Sequence, residues 1–374
     1  MEADYLYELE PLMWDEESFN RLLMWAVEND ASDIRLESGD FIWIRVNGCW
    51  KKVTQRTVEI NEAKALIEVI SGDASSSSRV MGGKEFNFAH EVRFERMKKK
   101  RFRGNATGAK RLSGNGLSII FRVIPEIPPR LETLGLERPL LEGLFPEKGL
   151  VLITGVMGSG KTTLLAAGLR DIIEKGGRYV QTYEDPIEFD LTSIPGASGP
   201  VSQTSVPDHL ASFLEAPKNA ARRAVDVALI GESKERETIH KMIEMSELGL
   251  VAYSTVHTRS VHETPSRIIN IFDTNDRPAV ATTLIEVIRL IVQQRLVERC
   301  DKPGRIALRE YLVITEEIRA QLRELNFKDF APALKELTRR HGQNLLQDAI
   351  KKFNEGIIEE KVVLSLKKEF GDLH

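Results

Sequence analysis

A glycine-rich loop between an apolar strand and an apolar helix constrains the fold of this chain more than any other sequence feature. Residues 149–165 read GLVLITGVMGSGKTTLL, in which a glycine is followed after four residues by Gly-Lys-Thr. This spacing is typical of a phosphate-binding P-loop, with residues 150–154 as the strand before it and residues 161–173 as the helix after it. A strand that leads through such a loop into a helix predicts an α/β fold.

Each residue type in this loop has a chemical reason to be there. The glycines permit backbone angles and a close approach that side chains would prevent. The N–H groups of the loop and of the helix N-terminus then point at an anion. The lysine would bridge the β- and γ-phosphates of a nucleotide, and the next threonine would ligate Mg²⁺ through its hydroxyl group. The sequence therefore predicts that ATP and Mg²⁺ bind here. The predicted nucleotide-binding residues are Gly155, Gly158, Ser159, Gly160, Lys161, Thr162 and Thr163.

Strand-like apolar runs alternate with helical segments through the second half of the chain. The predicted strands are residues 150–154, 179–183, 227–230 and 250–255. This alternation favours a mostly parallel sheet with helices on both faces. From about residue 281 the pattern becomes helical. The predicted helices there are residues 281–297, 316–325, 331–338 and 345–354. We therefore predict one α/β domain over residues 131–374, which ends in a helical tail.

The first 124 residues have the pattern of a smaller α+β domain. Predicted helices alternate with predicted strands, and Asn47-Gly48 predicts a hairpin turn. Residues 125–129 read PEIPP, and three prolines in five residues continue neither a helix nor a central strand. A hinge linker is therefore predicted at residues 125–130. The predicted elements of this domain are helices at 17–29 and 61–71 and strands at 33–36, 41–46, 86–94, 101–107 and 117–124.

Composition excludes several classes of protein. The 374 residues include 52 Lys and Arg against 56 Asp and Glu, a net charge of −4, so general attraction to nucleic acid or anionic lipid is not expected. The two cysteines, Cys49 and Cys300, have no metal-ligand spacing and indicate a reducing compartment. There is no apolar run of 18 residues, and the acidic N-terminus is unlike a secretory leader. These features predict a cytoplasmic protein.

Polar side chains follow three of the other predicted strands, and hydrolysis of a nucleotide needs groups that position water and Mg²⁺. Glu232 ends the run DVALIGE and is the predicted general base, with a helix N-cap as the alternative. Glu184 and Asp185 in TYEDPIEF would contact Mg²⁺ partly through water, or would form only an acidic loop. His257 in STVHT has either a structural role or a role as γ-phosphate sensor.

Four motifs of the second half, GVMGSGKTT, TYEDPIEF, LIGES and STVHT, occur in this order. They resemble the Walker A motif, Asp box, Walker B motif and His box of the secretion ATPases of type II and type IV systems. The chain resembles the PilT-like branch in particular, nearest to the ATPases of type IVB secretion and of conjugal transfer. The resemblance covers nearly the whole chain and implies a RecA-like motor domain, preceded by a PAS-like N-terminal domain.

The resemblance also implies a site assembled from two domains of a hexameric ring. ATP would lie between the N-terminal and motor domains, and arginines of the N-terminal domain would complete the site. By motif match these are Arg103 in RFRGN and Arg122 in FRVIP, with Arg101 a weaker match. The alternative for the basic run MKKKRFR, which ends at Arg103, is a solvated hairpin edge. Met157, where the family commonly has threonine, is a departure in a position that contributes mainly backbone.

The implied function is that of a hexameric cytoplasmic ATPase that powers a secretion or conjugation apparatus. Its implied partners are components of that apparatus in the inner membrane, so that it would reach the membrane through them. Sequence-specific binding of nucleic acid is not expected. Three alternatives stay open: a nucleotide-gated assembly scaffold, a pilus-retraction motor, and a DNA-translocating motor, which the acidic balance disfavours.

Overall fold

The computed structural model describes residues 5–46, 48–95, 98–111, 114–124, 127–207, 209–231 and 236–370. Several residues of the sequence predictions therefore lie outside the described residues: Asn47 of the hairpin turn, Met97 of the basic run, Pro125 and Glu126 of the hinge, and Glu232 and Ser233 of the motif LIGES. The chain divides into two units, Met1–Glu126 and Ile127–His374. Each unit has its own hydrophobic core.

The described residues of the first unit form a six-stranded antiparallel sheet and three helices. The strands are β1 (Ala31–Glu37), β2 (Trp43–Val46), β3 (Cys49–Lys52), β4 (Phe86–Glu95), β5 (Lys98–Arg111) and β6 (Gly114–Ile124). The helices are α1 (Glu16–Glu28), α2 (Ile60–Ser71) and α3 (Ser76–Met81). The strand order is β3-β2-β1-β6-β5-β4.

Helix α1 shows why this unit folds as the sequence predicts. Asp15 caps its N-terminus in a reciprocal capping box with Ser18. Phe19, Leu22 and Leu23 share one face at helical spacing and are fully buried. The ring of Phe19 lies 5.1 Å from that of Phe121 on β6. The amphipathic pattern of the helix therefore becomes one side of the core of the first unit.

The described residues beyond Glu126 form a seven-stranded sheet with helices on both faces. The strands are β7 (Gly149–Thr154), β8 (Val180–Glu184), β9 (Val201–Ser205), β10 (Val227–Ile230), β11 (Val251–Val256), β12 (Ile288–Glu298) and β13 (Arg305–Val313). The helices are α4 (Arg138–Gly143), α5 (Lys161–Lys175), α6 (Ala216–Arg222), α7 (Arg236–Glu247), α8 (Glu263–Asn270), α9 (Arg277–Val287), α10 (Glu316–Arg323), α11 (Phe330–His341), α12 (Leu345–Asn354) and α13 (Glu360–Phe370).

The strand order of this second sheet is β13-β12-β7-β11-β10-β8-β9, and all neighbours are parallel except β12 and β13. Every residue of β7 is buried, as expected for a central parallel strand. Thr154 lies opposite Val256, and Ile230 lies opposite Tyr183. The carboxyl ends of β7, β11, β10 and β8 therefore meet at one edge, which is where ligands bind in open α/β sheets.

The predicted helix at residues 281–297 is wrong over most of its length. Helix α9 ends at Val287, and Ile288 begins the eleven-residue strand β12. This strand pairs with β7 on one side and β13 on the other. A mixed apolar and polar run such as IRLIVQQRLVE fits either period, and non-local pairing decides between them. The helical tail therefore begins only at Glu316.

Within the ranges that the structure describes, no helix combines the length and the apolar character needed to cross a membrane.

Substitution of Gly342 by alanine should lower the free energy of unfolding by about 1–3 kcal/mol, since a Cβ atom there would lie 2.1 Å from the carbonyl oxygen of Tyr311. That oxygen is backbone and already accepts from the N–H of Gln343 at 3.1 Å, so it has little freedom to move. Thermal denaturation would measure the loss. Gly168→Ala in α5 is the control, because no atom lies within 4 Å of its Cβ position. The free energy of unfolding of Gly168→Ala should rise by up to about 1 kcal/mol. An equal loss of stability in both variants would contradict the prediction.

Candidate active site

The loop between β7 and α5 has the backbone that a phosphate cradle requires. Gly155, Gly158 and Gly160 have φ of 140°, 74° and 84°, a region that favours glycine. A Cβ atom on Gly155 would lie 2.5 Å from the carbonyl oxygen of Gln294 and 2.6 Å from Oγ of Ser159. Any side chain at Gly155 would therefore clash with the backbone of Gln294 and with the side chain of Ser159.

Lys161 places a buried positive charge at the centre of this loop. Its side chain lies at the start of α5, and the residue is only 8% exposed. The Nζ atom donates to the carbonyl oxygens of Gly155 at 2.9 Å and Val156 at 3.0 Å. The hydroxyl groups of Ser159 and Thr154 nearby in the chain are buried and have no hydrogen-bond partner among the described residues.

These features fit the phosphates of a nucleotide. Buried polar atoms usually have partners, so the unpaired hydroxyl of Ser159 indicates a ligand with acceptor oxygens. The ammonium of Lys161 and the N-terminus of α5 both favour a negative charge at this position. The predicted nucleotide-binding residues from Gly155 to Thr163 lie in this one loop and in the first turn of α5, which follows it directly.

Glu184, the last residue of β8, is a buried carboxylate on the same edge of the sheet. It is 6% exposed. Its Oε1 accepts from the hydroxyl of Thr182 at 2.6 Å and from Nε2 of Gln203 at 3.2 Å. Burial raises the pKa of Glu184, and the two hydrogen bonds oppose this shift. A carboxylate held in this environment would gain from a nearby cation.

A small cavity lies between Glu184 and helix α5. Its volume is about 10 Å³, room for roughly one water molecule. Thr162, Glu184 and Gln203 are among its lining residues, together with apolar residues of α5 and of the neighbouring segments. The structure thus brings Thr162 and Glu184 to the lining of one cavity. Asp185 is exposed and does not line this cavity.

His257 directly follows β11 and lies half-buried at the same edge. Its strand neighbour β7 ends at the matching position, because Val256 lies opposite Thr154. On the other side, the hydroxyl of Thr255 donates to the carbonyl oxygen of Gly231 at 2.7 Å. This bond fixes the end of β10, the strand that leads to Glu232, whose own position lies outside the described residues.

Arg103 and Arg122 belong to the first unit, where they lie directly opposite each other on β5 and β6. Asp33 on β1 is the next residue across the sheet, and its Oδ1 accepts from Nε of Arg122 at 2.8 Å. Arg101 lies two residues before Arg103 and therefore on the same face. The sheet register thus collects all three predicted arginines on one face of the first unit.

Sequence reasoning missed three polar residues around the loop. Gln203 on β9 holds Glu184, and Gln294 on β12 donates from Nε2 to the carbonyl oxygen of Ser159 at 2.7 Å. Arg309 on β13 donates from Nε to Oε1 of Gln294 at 3.1 Å. The signal for the second of these was present, because adjacent glutamines interrupt the apolar run IRLIVQQRLVE. It was lost because that run was interpreted as a helix.

Comparison with known proteins places this site in a family. Residues 14–365 match the family described as type II/IV secretion system protein. The type IV pilus retraction ATPase PilT of Pseudomonas aeruginosa is 32% identical over 303 residues, which are 81% of this chain and 84% of PilT. The type IV pilus ATPase PilU of the same organism is 29% identical over 357 residues, which are 95% of this chain and 90% of PilU.

Solved structures agree with this placement and confirm the predicted fold class. The ATPase DotB of Legionella pneumophila has a TM-score of 0.87 and 36% identity, over 98% of this chain and 100% of DotB. The pilus retraction motor PilT with bound ADP has a TM-score of 0.78 and 26% identity, over 92% of this chain and 96% of PilT. The chain belongs to the type II/IV secretion system protein family, in a PilT-like branch close to DotB.

Proposed function

We propose that this chain is a Mg²⁺-dependent ATPase that works as a homo-hexamer and powers a type IVB secretion or conjugal transfer apparatus. The observation that carries the proposal is the loop around Lys161, in which three glycines with positive φ and a buried ammonium group lie at the carboxyl edge of a parallel sheet. The match of residues 14–365 to the type II/IV secretion system protein family supports a secretion system. Membrane partners would recruit the ring to the cytoplasmic face of the inner membrane.

The residues around the loop divide the work of hydrolysis among them. Lys161 would bind the phosphates, and the hydroxyl of Thr162 would hold Mg²⁺, with Glu184 and Asp185 contributing through water. When bound, Mg²⁺ would neutralise charge on the phosphoryl oxygens. Glu232 accepts a proton from the attacking water, and His257 contacts the γ-phosphate. The cavity shared by Thr162 and Glu184 supports this arrangement.

Arg103 and Arg122 would complete the site from the N-terminal domain, residues 1–124, when it closes on the motor domain, residues 131–374, by bending at residues 125–130. Two like charges directly opposite each other destabilise a sheet pair. Asp33 pairs with Arg122 and offsets part of this repulsion, which leaves Arg103 as the charge that a bound anion would stabilise. A guanidinium stabilises charge that develops on the γ-phosphoryl group.

A pilus-retraction motor is the second candidate, favoured by the 32% identity to PilT. A retraction motor and a secretion ATPase would share every residue role given above and differ in the apparatus they pull on. A nucleotide-gated scaffold of the same apparatus is the third candidate, in which ATP would order the ring and hydrolysis would be incidental.

Substitution of Glu232 by glutamine should lower steady-state ATP hydrolysis by about 100-fold or more, because a general base contributes 10²–10⁴-fold. ATP binding should remain, since the cradle is unchanged. Phosphate release and binding of a fluorescent ATP analogue would measure the two effects. Glu237→Gln, an exposed carboxylate in the first turn of α7, is the matched control. Turnover equal to wild type in Glu232→Gln would contradict the ATPase mechanism, and normal transport in cells that carry it would favour the scaffold.

A further inference from the structure

We infer that Gln294 is a positioning residue that sets the orientation of the phosphate-binding loop and thereby its affinity for nucleotides. The inference rests on the proposed nucleotide binding and adds a residue of β12, distant in sequence from every motif above. Gln294 is 3% exposed, and its Nε2 donates to the carbonyl oxygen of Ser159 at 2.7 Å across 135 positions of the chain.

Gln294 contacts both ends of the loop. A Cβ atom on Gly160 would lie 2.7 Å from Nε2 of Gln294, and one on Gly155 would lie 2.5 Å from its carbonyl oxygen. The side chain and the backbone of one residue therefore determine that the loop has glycine at two positions. Such close packing means that the loop cannot shift toward β12 without displacing Gln294.

The orientation of the Gln294 amide is fixed from the other side. Nε of Arg309 donates to Oε1 of Gln294 at 3.1 Å, so the NH₂ group of that amide must face Ser159. Arg309 is 3% exposed and donates through Nη2 to the carbonyl oxygen of Leu134 at 3.0 Å. Its backbone N–H donates to Oδ2 of the buried Asp348 at 2.7 Å. The amide of Gln294 that donates to the loop is thus held in place by the hydrogen bonds of buried Arg309 and Asp348.

This hydrogen bond has a geometric consequence for the loop. In a planar trans peptide the C=O and N–H groups point in opposite directions. Because Gln294 binds the carbonyl oxygen of Ser159, the N–H of Gly160 in the same peptide points away from Gln294. That N–H is one of the donors that a P-loop offers to phosphate. Gln294 therefore keeps a phosphate-binding donor aimed correctly before any ligand arrives.

Substitution of Gln294 by glutamate separates this role from simple packing. The carboxylate keeps the shape and still accepts from Arg309, but it presents an oxygen instead of a donor to the carbonyl of Ser159. We expect the Kd for ATP and for ADP to rise by about tenfold, because one hydrogen bond that orients the loop is replaced by repulsion. The KM for ATP should rise by the same factor while kcat changes less than about threefold, the pattern of lost uniform binding.

Gln181→Glu is the matched control. Gln181 on β8 is also fully buried, its Oε1 accepts from Nη1 of Arg223 at 3.1 Å, and its Nε2 donates to the carbonyl oxygen of Thr182 at 2.9 Å. It has the same hydrogen-bonding pattern without a bond to the loop. Its Kd and KM should stay within about twofold of wild type, and its melting temperature without nucleotide should fall about as much as that of Gln294→Glu.

Gln294→Met, which keeps the volume and removes both polar groups, is the second variant and gives the result if Gln294→Glu does not fold. Isothermal titration with ATP and ADP, melting temperatures without nucleotide, and steady-state kinetics would be measured on the full chain. A rise in Kd confined to the Gln294 variants supports the inference. An unchanged Kd in them, or an equal rise in Gln181→Glu, overturns it. Failure of the wild type to bind either nucleotide would instead reject the proposed function.

Discussion

Lys161→Ala should abolish measurable ATP binding at micromolar nucleotide and lower ATP turnover by about 100- to 1,000-fold, the cost of removing one preorganised electrostatic group from a buried site. The ammonium is the buried positive charge of the loop, held by the carbonyl oxygens of Gly155 and Val156. Alanine retains the helix but leaves the negative charge of the phosphates without this partner. Binding of a fluorescent nucleotide and release of phosphate would measure the two losses.

The matched control for this prediction is Lys175→Ala, at the other end of α5. Lys175 is exposed and pairs with Asp171 at 2.6 Å in a surface ion pair of little energetic consequence. Its substitution should leave binding and turnover near wild type. Since Lys161→Ala also removes a donor from two carbonyl oxygens, the melting temperature of both variants should be recorded. Turnover above a tenth of wild type in Lys161→Ala would reject the assignment of this loop.

The parts of the site that could be predicted from the sequence are formed by residues that are close to one another in the sequence. Residues 155–163 need only one strand, one loop and one helix turn, and each position has a local requirement such as positive φ at Gly158. The strand ends that carry Glu184 and His257 were predicted for a related reason. Ligands of a parallel sheet bind at the carboxyl edge, so a polar residue directly after any predicted strand is a candidate site residue even when the strand order is unknown.

The parts that the sequence did not predict depend on pairings between distant segments. Gln294 contacts Ser159 only because β12 pairs with β7, and nothing within residues 281–297 states that pairing. The same holds for Gln203, which reaches Glu184 because β9 lies beside β8. The facing positions of Arg103 and Arg122 follow from the register of β5 and β6. A single sequence shows that these residues are polar but not which neighbours they have.

Glu184→Gln should separate function from stability, because its effects on the two have opposite signs. Activity should fall: the Mg²⁺ concentration for half-maximal hydrolysis should rise by about 10- to 100-fold, the usual cost of losing an outer-sphere metal contact. Stability without nucleotide should rise by roughly 1 kcal/mol, a common size for a stabilising substitution. The reason is that burial raises the pKa of Glu184, which means that the folded state disfavours its ionised form.

The amide that replaces the carboxylate avoids this cost and keeps its neighbours. If the amide oxygen takes the place of Oε1, it still accepts from the hydroxyl of Thr182 and from Nε2 of Gln203. An ionised carboxylate strengthens the binding of a cation at the site, whereas in the protein without nucleotide and metal it lowers the free energy of unfolding. Wild type therefore retains at Glu184 a charge that is useful only with a ligand, and the trade between activity and stability follows from burial alone.

The pH dependence of the stability difference provides the test of this explanation. Below the ordinary pKa of a glutamate, about 4.3, the carboxyl is neutral in the folded and unfolded states, so the ionisation cost is absent from both. As the pH rises through that value and then through the raised pKa of folded Glu184, wild type loses stability and Glu184→Gln does not. Thermal denaturation of both proteins from acid to neutral pH, without nucleotide, should show the difference growing with pH. Glu237→Gln, at an exposed position of α7, should show neither this trend nor the Mg²⁺ effect. A pH-independent difference would mean that Glu184 acts through packing, and an unchanged Mg²⁺ requirement would remove it from the metal site.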